Sequence, residues 1–395
     1  MSWFVKISKI EKLPARLKNL YTHRIIRTTG FGLLTMFGPI FLYELIGLRG
    51  TILIWLIISS LYFLLIPLFA KLFKYFSLHI FLLLGTLCAA GYFWAYYLLA
   101  QNFRISIFFL LILLIVFNLL NRLFYWIPYN VDFARFVDRY HRGRRISYFW
   151  IIVSLVGIIL PIFSAWMIER FNWSALFVAG ILVILISMIP AFFIARTREV
   201  YTFGYWESLK KLCSKRHFKT NLAYAADGWQ SGIGYFIWPI FVFIILDGNY
   251  MQVGGVMALI VLATCVLRYL TGELTDRMDK KRLIRTGSVL FSLGWVFKAL
   301  VSSALHIFLV GIFHDFVAVL FRTPFDALTY EIAADQGHYV DEFSALREMS
   351  LHFGRILMFI LALGMINYVN LVWVFVVGGL VSLLFNLVSK EEFVY

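Results

Sequence analysis

Twelve runs of roughly 20 apolar residues, laid almost end to end, constrain this chain more than any other feature. They fall at 25–47, 51–70, 79–99, 105–127, 147–168, 173–195, 221–246, 251–271, 283–304, 307–325, 346–366 and 369–389. A helix of about 20 residues matches the hydrocarbon core of a bilayer. A helix also satisfies its own backbone hydrogen bonds, which lipid cannot do. Only 14% of the 395 residues are charged, where a soluble chain needs about a quarter to cover itself. The expected class is therefore an all-α polytopic membrane protein with twelve transmembrane helices and the lipid bilayer as its surroundings.

Net charge is +15, yet its distribution does not point to nucleic acid. Lys and Arg gather in the N-terminus, 71–79, 129–146, 196–219, 268–285, 322–347 and the C-terminus, 30 in all. The other side receives only Arg49, Arg104 and Arg170, and Arg122, Lys298 and Arg355 fall within runs. Such a split predicts an inner or plasma membrane protein with both termini cytoplasmic. Residues 1–24 lack the long apolar stretch and small-residue cleavage site of a signal peptide, so they read as a cytoplasmic amphipathic lead-in. Cys88, Cys213 and Cys265 are scattered; their spacing suits neither a disulfide nor a metal site. No metal or other cofactor is expected, and the chain is expected to work as a monomer.

The longest connection, 196–220, is basic and mildly amphipathic and divides the runs into two sixes. Expected domains are a bundle at 25–195, the linker at 196–220 with room for a short surface helix, a second bundle at 221–389, and a tail at 390–395. The halves look like repeats. Phe37-Gly38-Pro39-Ile40-Phe41 matches Ile237-Trp238-Pro239-Ile240-Phe241 at an offset of 200, and Ile127-Pro128-Tyr129-Asn130 matches Thr323-Pro324-Phe325-Asp326 at 196. Ser147 at the start of span five has Ser344 at the start of span eleven. Parallel six-helix repeats enclose a cavity between them, which is a transporter architecture.

Between spans eight and nine lies Gly272-Glu273-Leu274-Thr275-Asp276-Arg277-Met278-Asp279-Lys280-Lys281-Arg282. This resembles the signature loop of the major facilitator superfamily, G-x-L-x-D-R-x-G-R-R/K. Gly272, Leu274, Asp276, Arg277, Lys280 and Lys281 fill its places, and Asp279 replaces its second glycine. Phe171 to Phe177 is similar to a weaker segment of the same family. The resemblance implies a gating loop in which Asp276 caps the helix opening at Ser147, and Arg277 can pair with Asp326. The carboxylate favours a helix N-terminus electrostatically. In the first half, Ala70 and Lys74 stand where glycine and aspartate belong, so the gate is expected to be asymmetric; Asp132 is the candidate partner of Lys74.

Ionisable groups inside spans are costly and mark function by default. Asp315 in span ten has two readings: a proton- or substrate-coupling carboxylate, or half of a packing ion pair with Arg355 or Lys298. His314 and His352 read as packing residues. In span four, Asn118, Asn121, Arg122 and Tyr125 follow i, i+3, i+4, i+7 spacing and form one polar stripe, which belongs against the bundle interior or water. The resemblance implies that spans one, four, seven and ten line the pathway, which brings in Asp227. Asp227 and Glu44 also have interfacial readings.

The expected function is a secondary active or facilitative transporter that moves a small molecule or ion by alternating access, with proton coupling open. No nucleotide-binding G-x-x-x-x-G-K-S/T loop is present. The family's drug-antiporter signature is poorly kept around Gly157 and Pro161. Two other classes remain: a transporter-like sensor or scaffold that binds without transport, and a membrane enzyme acting on lipids. The enzyme would need Asp326, Glu331, Asp335, His338, Asp341 and Glu342 as a working cluster, and a solvated connection is favoured for them.

Overall fold

The computed structural model describes residues 15–101, 105–136, 142–215, 217–276, 280–335, 339–368 and 371–388. Within these, the side chains at 15–16, 142–151, 268–276, 280–281, 334–335 and 367–368 lie outside the description. Every spanning element among the described residues is helical. Among the described residues, nine helices are long and apolar enough to cross a membrane. The first of them, Leu17–Lys74, covers 58 residues and reverses at Gly47, whose φ of 71° and ψ of 174° suit glycine and few other residues. It therefore supplies spans one and two. Lys280–Lys298 and Val372–Leu387 complete the expected twelve.

The remaining spans are Leu78–Ala100 (three), Ile107–Phe136 (four), Arg142–Arg170 (five) and Trp173–Ala191 (six). The second half has Phe218–Ile245 (seven), Tyr250–Asp276 (eight), Ala304–Asp335 (ten) and Val340–Tyr368 (eleven), with Lys280–Lys298 as nine and Val372–Leu387 as twelve. The linker carries the short helix Tyr205–Leu212. Span two packs on span eleven and span five on span eight, so the two sixes meet along both seams.

Helices run past the apolar stretches at the end that carries the linker. Span one begins at Ala15, inside the expected lead-in, and spans four, ten and eleven each gain several residues there. Apolar length reports only the part in hydrocarbon; the helix itself continues wherever packing supports it. This overturns the reading of several charges as loop residues. Arg24, Arg27, Arg322 and Arg347 sit in helices within the bundle. Moving these four out of the thirty leaves 26 against 3.

The matched prolines mark matched interruptions. Span one breaks at Met36, three residues before Pro39. Span seven passes through a π-helical segment, Ile233–Ile237, just before Pro239. Proline cannot donate the backbone bond an α-helix needs, and the ladder is disrupted just before it in both halves. Span seven also crosses span eleven with the backbones nearly touching. A Cβ on Gly228 would lie 1.8 Å from the Leu351 carbonyl oxygen, and one on Gly354 would lie 1.8 Å from that of Ala225. Small residues at such crossings let helices approach where lipid supplies no hydrophobic drive.

Candidate substrate pathway

The polar stripe of span four faces the bundle interior, as its spacing predicts. Asn118, Asn121 and Tyr125 are buried. Part of the stripe is occupied by span one. Asn121 Oδ1 accepts a hydrogen bond from the Arg27 guanidinium, and that guanidinium lies 3.7 Å from the Tyr125 ring centroid. Arg24, one turn earlier, stacks at 4.6 Å on Trp126 and 4.8 Å on Tyr129. Asn118 instead accepts from Arg122 Nε at 2.7 Å, and Arg122 looks toward the other half.

What it meets there is span eleven. Arg355 Nε donates to Ser231 Oγ of span seven at 3.0 Å, and its Nη1 lies 2.8 Å from His352 Nε2. His352 itself lies 4.2 Å from the Tyr62 ring. Both Arg122 and Arg355 act electrostatically on His352 and on each other. Glu348, one helical turn before His352, is buried. Its carboxylate accepts from Tyr62 Oη at 3.4 Å and from Asn130 Nδ2 at 3.3 Å, and Arg347 Nη1 stands at 3.6 Å. Tyr62 and Asn130 belong to the first half, so Glu348 ties the halves together. Tyr330 of span ten adds a bond to Asn130 at 3.5 Å and a ring contact with Phe133 at 4.6 Å.

The opposite end is tied as well. Tyr250 Oη donates to Glu44 Oε1 at 2.6 Å, and the Met251 amide donates to Glu169 Oε1 at 3.2 Å. The Tyr250 ring lies 5.3–6.3 Å from those of Phe243, Trp173 and Phe37. The interfacial reading of Glu44 thus gains a definite partner. Contacts thus join the two halves at both ends.

The remaining expected site residues divide into separate groups. Asp227 is buried and forms an ion pair with Arg322 of span ten at 2.6 Å. Asp326 shares its surroundings with Arg322, Asp227 and Arg347; its expected partner Arg277 lies outside the described residues. Asp315 bears on Lys298, the second of its two expected partners. The ammonium of Lys298 sits 4.4 Å from Trp238 and 4.5 Å from Trp295. His314 is packed 4.4 Å from Phe291 and 4.5 Å from Trp295, in keeping with a packing role.

Arg277 lies outside the described residues, as do the side chains of Leu274, Asp276, Lys280, Lys281 and Ser147 and the surroundings of Gly272. The backbone nonetheless corrects one point: the fifth helix opens at Arg142, five residues before Ser147, so Ser147 is not its first residue. Two further expectations change. Asp132 accepts from Thr197 Oγ1 at 2.5 Å, while Lys74 stacks 4.5 Å from Tyr75. Two members of the acidic group are not solvated, because Asp341 and Glu342 are buried and Glu342 Oε1 accepts from Thr202 N and Oγ1 at 2.8 and 2.7 Å. His338 lies outside the described residues.

Sequence reading missed Glu348, Tyr62, Arg24, Arg27, Arg322 and Arg347 as site components. Arg24 and Arg27, and Arg322 and Asp326, carry the i, i+3 and i, i+4 spacing that would have placed each pair on one helix face.

Comparisons with known proteins agree with this architecture. A family model described as Major Facilitator Superfamily matches residues 24–331 and 220–389. The chain is 25% identical over 248 residues to the uncharacterized protein YqgE of Bacillus subtilis, a match that spans 59% of this chain and 56% of that relative. The human organic anion transporter MFSD10 superposes with a TM-score of 0.67 at 14% identity, covering 95% of this chain and all of the other. A peptide transporter POT solved with sulfate gives 0.64 at 10% identity, covering 95% and 93%. At these identities the likeness to solved structures is one of fold. The matched family model covers nearly the whole chain, and the protein is a multi-pass membrane protein that belongs to the major facilitator superfamily.

Proposed function

We propose that this protein carries a small solute by alternating access, the two six-helix halves rocking about a site near the midplane. The observation that carries this reading is the pair of separable ties at opposite ends. Glu348 with Tyr62 and Asn130 closes one end, and Tyr250 with Glu44 closes the other. Each tie joins side chains of different halves, so either can break while the other holds. The interrupted spans one and seven place irregular backbone at corresponding depths, which is where carriers of this architecture bind.

Cysteine accessibility tests the reading without knowledge of the solute. In a background lacking Cys88, Cys213 and Cys265, Thr329→Cys reports the linker end and Val253→Cys the other. Reciprocal labelling from the two sides of the membrane supports alternation. Simultaneous labelling of both sites on single molecules would indicate a channel and sink it. Orientation is part of the proposal: the linker end faces the cytoplasm. Exposed Cys213 should then resist an impermeant maleimide in right-side-out vesicles and react in inverted ones; the reverse pattern refutes the orientation.

Asp315 is the proposed coupling carboxylate, half-buried in span ten and acting on Lys298. Asp315→Asn is expected to abolish accumulation driven by a proton gradient while sparing solute exchange. Unchanged accumulation would return Asp315 to a packing role with Lys298.

A further inference from the structure

Arg122 and Arg355 come from opposite halves and bear on each other as like charges. Their hydrogen-bond partners, Asn118 for one and Ser231 and His352 for the other, carry no negative charge. Among the described residues neither guanidinium has a carboxylate within 4.0 Å. Glu348 acts on both from farther away, but its oxygens are bonded to Tyr62 and Asn130, and Arg347 is the cation nearest to it. Asp227 also acts on Arg355 but is paired with Arg322, so the four guanidinium groups of Arg122, Arg322, Arg347 and Arg355 share the three carboxylates Glu348, Asp227 and Asp326. Cations held in a bundle interior call for a counter-charge, and two planar guanidinium forks suit the oxygens of a carboxylate, phosphate or sulfonate.

The walls beside this pair are aromatic and also span the interface. Trp55 of span two stacks on Phe236 of span seven with centroids 4.0 Å apart, and Phe236 lies 5.7 Å from Phe359 of span eleven. Arg122 is 5.9 Å from the Trp55 ring. Trp55 is only 4% exposed, yet its indole Nε1 has no acceptor. A buried N–H without a partner is uncommon and asks for an explanation. Beside a guanidinium short of negative charge, that donor indicates an acceptor-rich ligand. Phe236 belongs to the π-helical segment, so the interruption in span seven places this ring at the interface.

We propose that the protein binds an organic anion here. The anionic group lies between Arg122 and Arg355 and accepts from Trp55 Nε1, with an apolar body against Phe236 and Phe359. This names the substrate class of the carrier described above and rests on that reading for its transport, though not for its binding. Each half contributes one cation, so the ligand bridges the halves and stabilises the closed form through its differential contacts.

The test is calorimetric titration of the purified full chain with benzenesulfonate, inorganic sulfate, benzyl alcohol and benzylammonium. Benzenesulfonate is expected to bind best. Arg122→Gln and Arg355→Gln should each weaken it at least about ten-fold, in line with the loss of a charge-assisted bond. Trp55→Phe, which keeps a ring and removes the donor, should weaken it several-fold. Arg355→Lys should fall between wild type and Arg355→Gln, which guards against a Gln variant that does not fold. Arg170→Gln, at an exposed helix end, should leave binding unchanged.

Equal binding of benzylammonium or benzyl alcohol, no binding of benzenesulfonate, or an unchanged affinity in a folded Arg355→Gln protein would each overturn the proposal. Sulfate binding as tightly as benzenesulfonate would overturn the aromatic part of it. Titration in nanodiscs separates a free anion from a lipid headgroup. Binding that survives in phosphatidylcholine but vanishes in phosphatidylglycerol would assign the site to lipid. Flux of benzenesulfonate in proteoliposomes keeps the two readings apart. Binding without flux refutes the carrier and leaves this site standing; flux of other solutes without anion binding does the opposite.

Discussion

Asp227 and Arg322 hold the closest ion pair between spans seven and ten among the described residues, at 2.6 Å, with Asp227 buried and Arg322 one-third exposed. Removing one member leaves the other charge without its nearest partner. Asp227→Asn should therefore destabilise the protein by about 3 kcal/mol at most, since Arg322 retains some water. The double variant Asp227→Asn, Arg322→Gln should recover part of that loss. Thermal melts of the two singles and the double decide it, and strict additivity would show that the pair does not couple. The same pair shows what a sequence hides. Asp227 and Arg322 stand 95 positions apart, and Arg322 sits just inside the end of an apolar run, where positive charge reads as a loop. The polar stripe 118–125 was legible because four polar residues shared one face. Glu348 was not, because a single carboxylate near a helix start carries no pattern until Tyr62 and Asn130 are brought to it.

At the scale of elements, the crossing of spans seven and eleven depends on two glycines. Gly354→Ala puts a methyl 1.8 Å from a carbonyl oxygen, so the helices must separate. A loss of roughly 2 kcal/mol or more is expected, toward the upper range for overpacking. Gly255→Ala and Gly364→Ala meet nothing within 4 Å and should be neutral or slightly stabilising, since alanine favours helix by about 1 kcal/mol. Melting temperatures of the three variants distinguish a local crowding effect from a general intolerance of alanine. Number, order and repeat of these helices were legible from apolar runs and matched prolines. Their ends were not: hydropathy stops where lipid stops, while spans four, ten and eleven continue as helix beyond it. That extra length holds Asn130, Tyr330 and Glu342, the residues that fasten the linker end.

For the whole molecule, the two ties set the balance between its faces. Tyr250→Phe keeps the ring that packs on Phe243 and Trp173 and removes the bond to Glu44. It should raise labelling of Val253→Cys while lowering that of Thr329→Cys. Glu348→Ala, which frees Tyr62 and Asn130, should do the reverse. Parallel changes at both reporters would mean general loosening and would refute opposed gates. Loss of a tie to a carboxylate is worth about 2 kcal/mol, which moves a balanced equilibrium roughly thirty-fold.

The π-helical segment of span seven bears on how such an imbalance spreads. Toward the linker, Phe218–Gly232 carries the ion pair with Arg322. Away from it, Trp238–Ile245 carries Phe243, which stacks on Tyr250. The five residues between them interrupt the α-helical ladder, so the rod is jointed rather than stiff. Its outer arm can swing away from Tyr250 while the inner arm stays moored by charge. Unlatching at one face then costs chiefly the contacts of that arm, and the reciprocal response at the opposite face is carried by the rocking of the halves rather than by strain along this helix.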